Sequence, residues 1–364
     1  MATPTTGRTA GGGSSVGVGG ASTDEAAVTP SATSATTAAA GADAAPTTPP
    51  GPPDHRGGVV IWALVGVLLA ALALTTWGRW ILSSEEFGRV EVLGPDEFPT
   101  WRLVLLRISE VASVVEMSTI VYLVAIRPWR RARRLGIEAK IALGCFLGSV
   151  SDGFLNTQEY LFAWNQHSIN VGSWSSFLPF ADPDHQSRYA EGIVWGTPMY
   201  MYFCIGVALV AVPAIQRMRR RWPGIRNGTA LSVVFVAACV FDFVVENVFI
   251  RLDHGYAYAQ APESVTLFAG SQYQFPLYEM VLVAALGVFF TNLLLSARDS
   301  PDGRSWAERG VERLAPRWRG PASWLAVIGA SMTAFFLVYH LPFNWLGLVG
   351  DSAADLPSYL LPSR

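Results

Sequence analysis

Lysine is nearly absent from this chain. Lys140 is the only one in 364 residues, and arginine carries the rest of the positive charge. Charged residues of every kind are scarce, at 15%, where a soluble domain carries roughly a quarter. That deficit excludes a fully solvated globular surface. Cysteine is scarce as well. Cys145, Cys204 and Cys239 lie inside apolar runs with no CxxC or Cys/His spacing, so they read as small buried hydrophobes and not as zinc or cluster ligands. His167, His185 and His254 also lack the tight spacing of a metal site. The net charge of −2 excludes little by itself; where the charges stand is more informative.

The chain is rich in apolar residues, 51% of the total, and they come in long runs. Residues 1–58 stand apart. They are mostly Ala, Thr, Gly, Ser and Pro, a composition that cannot bury enough surface to offset its ordering entropy, which predicts a disordered cytoplasmic tail. Seven apolar stretches follow, at about 59–82, 103–126, 137–162, 193–215, 230–250, 275–296 and 322–346. Each is long enough to cross roughly 30 Å of hydrocarbon as a helix. Backbone groups in lipid must be satisfied internally, so helices are the expected spanning form. The predicted fold is all-α: a polytopic membrane bundle of about seven transmembrane helices over residues 59–350, with a short C-terminal tail at 351–364. Pro198, Pro213 and Pro342 predict kinks or frayed ends.

Arginines cluster after the second stretch (Arg127 to Arg134), the fourth (Arg217 to Arg226) and the sixth (Arg298 to Arg319), and are few in the alternate loops. The positive-inside rule then places the N-terminus in the cytoplasm and the C-terminus outside, in a multi-pass protein of the cell membrane. Topology accounts for these arginine runs, so no nucleic-acid partner is expected; the expected partners are the lipid bilayer and a hydrophobic small-molecule substrate.

Ionisable residues inside spans are costly and usually face a bundle interior. Asp152, Asn156 and Glu159 stand at i, i+4 and i+7 of the third helix, and Asp242 and Glu246 at i and i+4 of the fifth, next to Asn247. At α-helical spacing each set forms one stripe. Tyr278 and Glu279 open the sixth helix, and His340 and Asn344 close the seventh. In the inferred topology all of these lie toward the non-cytoplasmic end, which predicts a common polar cavity. Arg107 with Glu110, and Glu191, read more simply as polar groups tolerated at helix ends. Clustered carboxyls in a low-dielectric site tend to hold protons, which suits acid/base catalysis or proton coupling. The catalytic candidates are Asp242, Glu246, Asp152 and Glu279. The substrate-binding candidates are Asn156, Glu159, Asn247, Tyr278, Trp164, Trp174, Tyr256, Tyr258 and His340. The aromatics of the two outer loops fit equally an interfacial belt or a lid over the cavity.

Several segments, taken in order and spacing, resemble the AveC-like spirocyclase family of actinomycete polyketide pathways. They are Phe241-Asp242-Phe243-Val244-Val245-Glu246, Gly255-Tyr256-Ala257-Tyr258, Val265 to Phe268 and Pro276-Leu277-Tyr278-Glu279-Met280, with Arg127-Pro128-Trp129, Asp152 to Asn156, Asn170 to Trp174 and Arg221-Trp222-Pro223. The resemblance runs over about 59–346. It implies a membrane-embedded cyclase that closes a dihydroxy-ketone into a spiroketal, in some members with dehydration; no cofactor is expected for that reaction. Such chemistry needs a proton donor, loss of water and attack by a second hydroxyl on an oxocarbenium ion. Asp242 and Glu246 are expected to serve as the acid/base pair, Asp152 and Glu279 in support, with Asn156, Tyr278 and Asn247 orienting them.

Two other classes stay open. An isoprenoid (terpene) cyclase or prenyltransferase would hold Mg²⁺ on Asp152, Asn156, Asp242 and Glu246, since hard cations take carboxylate and amide oxygens. A proton-coupled transporter would need access from both sides, and ideally inverted repeats.

Overall fold

The computed structural model describes residues 58–182 and 188–362. The sequence-predicted tail at 1–58, Gly58 excepted, and His185 lie outside them. The described chain is mostly helical. Its long helices are α1 (Gly58–Leu82), α2 (Thr100–Ala132), α3 (Ile137–Gly148), α4 (Gly196–Arg221), α5 (Asn227–Arg251), α6 (Leu277–Asp299) and α7 (Pro316–Gly347). Six of these, all but α3, are long and apolar enough to cross a membrane.

The third apolar stretch departs from expectation. Its α-helix stops at Gly148, and a 3-10 helix, Ser149–Asn156, continues it. The polar run Ser149, Ser151 and Asp152, followed by Gly153, accounts for the change, because Ser and Asp side chains compete for nearby backbone groups and Gly is a poor helix former. Ser149 Oγ and Ser151 Oγ donate to the carbonyls of Phe146 and Gly148, each at 2.7 Å. The twelve α-helical and eight 3-10 residues together extend about 34 Å.

Three π-helical turns interrupt the long helices, at Tyr122–Ile126, Tyr202–Gly206 and Phe335–His340. The first and third precede Pro128 and Pro342 by two residues. A proline ring clashes with the carbonyl four residues back and removes an N–H, so the ladder widens there. Pro213 stays within the α-helical part of α4.

One end of the bundle gathers the arginine loops. Arg298 pairs with Glu138 at the start of α3, and Arg219 binds Asp299 at 2.8 Å. Lys140 lies 2.6 Å from both Glu308 and Ser323. Burial alone would raise the Glu308 carboxyl, but the Lys140 ammonium outweighs it and holds that acid below its ordinary range. The sole lysine therefore neutralises a buried carboxylate that joins α3, the 300–315 loop and α7.

The opposite end is capped by loops and six short strands: β1 (Phe162–Trp164), β2 (Tyr256–Tyr258), β3 (Gln260–Ala261), β4 (Thr266–Leu267), β5 (Phe275–Pro276) and β6 (Asp351–Ser352). They form three antiparallel pairs, β1 with β2, β3 with β6, and β4 with β5. Residues 351–362 belong to this cap: Tyr359 and Leu360 are buried, and Gln166 Nε2 donates to the Leu361 carbonyl at 2.6 Å. α3 and its 3-10 extension link the two ends, since Glu138 meets Arg298 while Asn156 Nδ2 donates to the Phe162 carbonyl of β1 at 2.8 Å.

Buried His254 sits at the centre of the cap with a left-handed backbone, φ +50°. Its Nδ1 lies 3.2 Å from Arg102 Nη1 and 3.1 Å from Tyr359 Oη. Burial, then the Arg102 guanidinium, push its pKa down from 6.5 to about 4. A native pKa below the unfolded value means that the unfolded chain binds the proton first as pH falls. The stabilisation that neutral His254 contributes is therefore complete above pH 6.5 and is lost progressively toward pH 4, by about 3 kcal/mol in all. His254→Asn keeps a residue that tolerates the left-handed region and removes the titration. Its thermal midpoint is expected to fall less between pH 7 and 4.5 than that of the wild type; parallel pH profiles would refute the assignment.

Candidate acid/base site

α5 is apolar almost all round, yet most of its surface faces away from the protein. Its buried positions include Asp242, Glu246 and Ile250, one stripe at four-residue spacing that packs against α6. Asp242 is 1% exposed and Glu246 5%. Glu279, in the first turn of α6, is 1% exposed and lies within the electrostatic reach of both. Three carboxyls thus share one interior region at the capped end.

Tyrosines hold two of them. Tyr258, from β2, donates to Glu246 Oε2, and Tyr339, from the π-turn of α7, donates to Glu279 Oε1 at 2.5 Å. Phe343 packs against Tyr258, Tyr278 and Tyr339, with ring centroids 5.9, 5.2 and 6.1 Å apart. The carboxyls therefore stand among aromatic faces. Among the described residues, both Asp242 oxygens, Glu279 Oε2 and the hydroxyls of Tyr256 and Tyr278 are buried with no hydrogen-bond partner.

A second acidic group lies beside the first. Asp152 and Glu191 are buried against each other. Tyr200 donates to Asp152 Oδ1, and its hydroxyl is 2.9 Å from Nε2 of His340. Ser151 Oγ is 2.7 Å from the other nitrogen of that ring. Ser173 donates to Glu191 Oε2 at 3.2 Å. Burial, reinforced by the Asp152 carboxyl beside it, pushes the Glu191 acid well above its ordinary range. Tyr339 and His340 are chain neighbours with ring centroids 4.5 Å apart, so the two groups adjoin.

The α-helical stripe expected of Asp152, Asn156 and Glu159 is not formed. In a 3-10 helix residues three apart share a face, so side chains four apart point about 120° away from each other. Asn156 turns to the cap. Its Oδ1 accepts from the backbone N–H groups of Leu161 and Phe162 at 3.0 and 3.1 Å, which commits the amide to a turn. Glu159 lies beyond the helix and is exposed. Asn247 faces sideways on α5 and accepts from Arg251 at 2.6 Å. Neither asparagine orients the acids. Asn344 Nδ2 donates to the Phe154 carbonyl at 2.7 Å, and Arg107 pairs with Glu110, which also accepts from the Ile169 N–H at 2.7 Å.

Trp164, Trp174, Tyr256 and Tyr258 are all at most 2% exposed, so these loop aromatics fold inward instead of forming a belt. Trp164 stacks over Gly192 and Gly196. Trp174 donates to the Val150 carbonyl at 2.7 Å and packs on Trp77 and Trp80 of α1.

Of the four residues that would hold magnesium, Asn156 has no free oxygen lone pair in easy reach, and Asp152 belongs to the second acidic group. Among the described residues no three His, Cys, Asp or Glu side chains are arranged to hold a metal ion.

Glu191, Tyr200, Ser151 and Tyr339 escape the sequence reading of the site. Tyr200 and Tyr339 look like ordinary aromatics in apolar runs, and Glu191 looks like a helix-end carboxylate. The one legible sign is that Tyr339 precedes His340, already a candidate.

A family model described as spirocyclase AveC-like matches residues 132–359. These residues include both acidic groups and the cap strands, and leave out α1 and nearly all of α2. No curated protein and no solved structure matches the chain. The family model covers well over half of the chain, so the chain belongs to the AveC-like spirocyclase family.

Proposed function

We propose that this family member is a cell-membrane cyclase that closes a spiroketal on a polyketide-type substrate, with Asp242, Glu246 and Glu279 as its acid/base groups. The observation that carries the reading is the concentration of buried, unpartnered oxygens on Asp242, Glu279, Tyr256 and Tyr278. Buried polar groups are nearly always hydrogen-bonded, so this set fits a substrate that brings several hydroxyl and carbonyl oxygens of its own.

Asp242, as the carboxylic acid, protonates the hemiketal hydroxyl. The C–O bond breaks, water leaves, and an oxocarbenium ion forms. The Glu246 and Glu279 carboxyls and the rings of Tyr258 and Phe343 stabilise that cation. The second hydroxyl attacks the same carbon and gives its proton to Glu246. One water is lost overall; Glu246 gives up the proton it took, and Asp242 regains one before the next cycle.

An apolar crevice of about 420 Å³ between α1 and α2, lined by Trp77, Trp80, Val114, Met117 and Pro198 among others, supports entry of a greasy chain from the lipid. In the membrane arrangement we propose, the arginine loops are cytoplasmic, the cap is outside, and α3 with its 3-10 extension makes a seventh crossing.

The test supplies a synthetic dihydroxy-ketone to membranes from an expressing host and from an empty one. The expected product is lighter by one water, forms only with the protein, and still forms after metal chelation. Magnesium-dependent consumption of an isoprenoid diphosphate, without conversion of the ketone, would reject the reading.

A further inference from the structure

The second acidic group has the connectivity of a proton wire. The Tyr200 hydroxyl has one hydrogen and donates it to Asp152. Its contact with His340 Nε2 at 2.9 Å must then be filled by a ring N–H. At the other ring nitrogen two arrangements are possible. Ser151 Oγ lies 2.7 Å from both the Gly148 carbonyl and His340 Nδ1. When the serine donates to Nδ1, the ring is neutral. When it donates to Gly148, Nδ1 carries a hydrogen that Ser151 Oγ accepts, with the Phe335 carbonyl also 3.2 Å away. A hydroxyl rotation therefore lets His340 gain or lose a proton with neither form left unsatisfied, which a buried group seldom achieves.

We propose that His340, Tyr200, Asp152 and Glu191 form a proton relay that joins the acid/base site to the outer cap. A proton leaves Nε2 for the Tyr200 oxygen as the Tyr200 hydrogen passes to Asp152, and Asp152 shares it with Glu191. Ser173, hydrogen-bonded to Glu191, lines a polar opening of about 450 Å³ in the cap together with Thr157 and Ser175. At the inner end His340 adjoins Tyr339, whose hydroxyl holds Glu279. The ionisable groups around the ring are Asp152, Tyr200, Tyr339 and, through Tyr339, Glu279. In this role Glu191 and Tyr200 are positioning and relay groups that do not touch the substrate, and Asp152 acts at a remove from it. The relay's service to turnover rests on the proposed cyclase activity. It restores the protonation of the acid site after each cycle.

Tyr200→Phe removes one hydroxyl and leaves the ring. The expected result is a fall in kcat of about tenfold or more with KM nearly unchanged, and a larger solvent deuterium isotope effect, as proton transfer becomes limiting. Glu191→Gln should shift both in the same direction. A Tyr200→Phe enzyme with wild-type kcat and isotope effect would overturn the relay. A second measurement needs no substrate. Infrared spectra of the purified full-length protein should show a protonated buried carboxyl that shifts in D₂O and disappears in Glu191→Gln. If that band is missing from the wild type, the relay is wrong whatever the substrate. If the band is present but no spiroketal forms, the cyclase reading fails and the proton-sharing group stands.

Discussion

Asp242→Asn is expected to lose about a hundredfold or more of turnover, the scale at which a positioned general acid contributes, while folding as well as the wild type. The two halves of this result have one cause. Asp242 is 1% exposed, and neither carboxyl oxygen has a hydrogen-bond partner among the described residues. No native contact is therefore broken when the acid becomes an amide of the same shape. A buried, unpaired ionisable group is a burden on folding, so the thermal midpoint should hold or rise. Product formed per minute, set beside the unfolding midpoint of the same preparation, checks the pair. Turnover near wild type would remove Asp242 from the mechanism. Equal loss of activity and stability would mean that the residue is structural.

Gly329→Val is expected to cost about 3 kcal/mol, the upper part of the range for overpacking a tight interior. α1 crosses α7 with backbone against backbone. A Cβ on Gly329 would overlap the Trp62 carbonyl and come within 2.6 Å of the Gly66 nitrogen, and a Cβ on Gly66 would meet the Leu325 carbonyl. Backbone cannot rotate aside as a side chain does, so the helices must part. Helix association in lipid relies on such close packing of small residues. Gly320, on the same helix, has nothing within 4 Å of its Cβ position, so Gly320→Ala should be neutral or gain up to about 1 kcal/mol from helix propensity. Unfolding midpoints of the two variants in one detergent would show a clear loss for Gly329→Val and none for Gly320→Ala. A Gly329→Val protein as stable as the wild type would mean that α1 and α7 do not meet as described.

Much of the arrangement is legible in the chain because it follows from period and polarity. The apolar runs mark the long helices, and their lengths are set by the hydrocarbon they must cross. Asp242 and Glu246 share a face because α5 is a regular α-helix there. The same argument misplaces Asn156 and Glu159, because it assumes an α-helical period where Ser149, Ser151 and Gly153 bring in a 3-10 turn. Tyr258 and Tyr339 carry no local sign that they hold carboxyls. They reach Glu246 and Glu279 from a strand and a π-turn that lie 12 and 60 residues away in the chain.

Long apolar helices with acidic residues set into several of them follow from the order of the amino acids alone, and the motifs already resemble those of the family to which the chain belongs. Periodicity and burial cost act within one helix, so one helix is enough to reveal them. Which acids meet is a matter of how the helices and the cap come together. Their packing places Asp242, Glu246 and Glu279 among tyrosines, and sets Asp152 with Glu191, Tyr200 and His340. Hydrogen bonds act over about 3 Å, and no pattern along one helix encodes which distant residues come that close. That distance is settled when the helices pack and the cap folds over their ends.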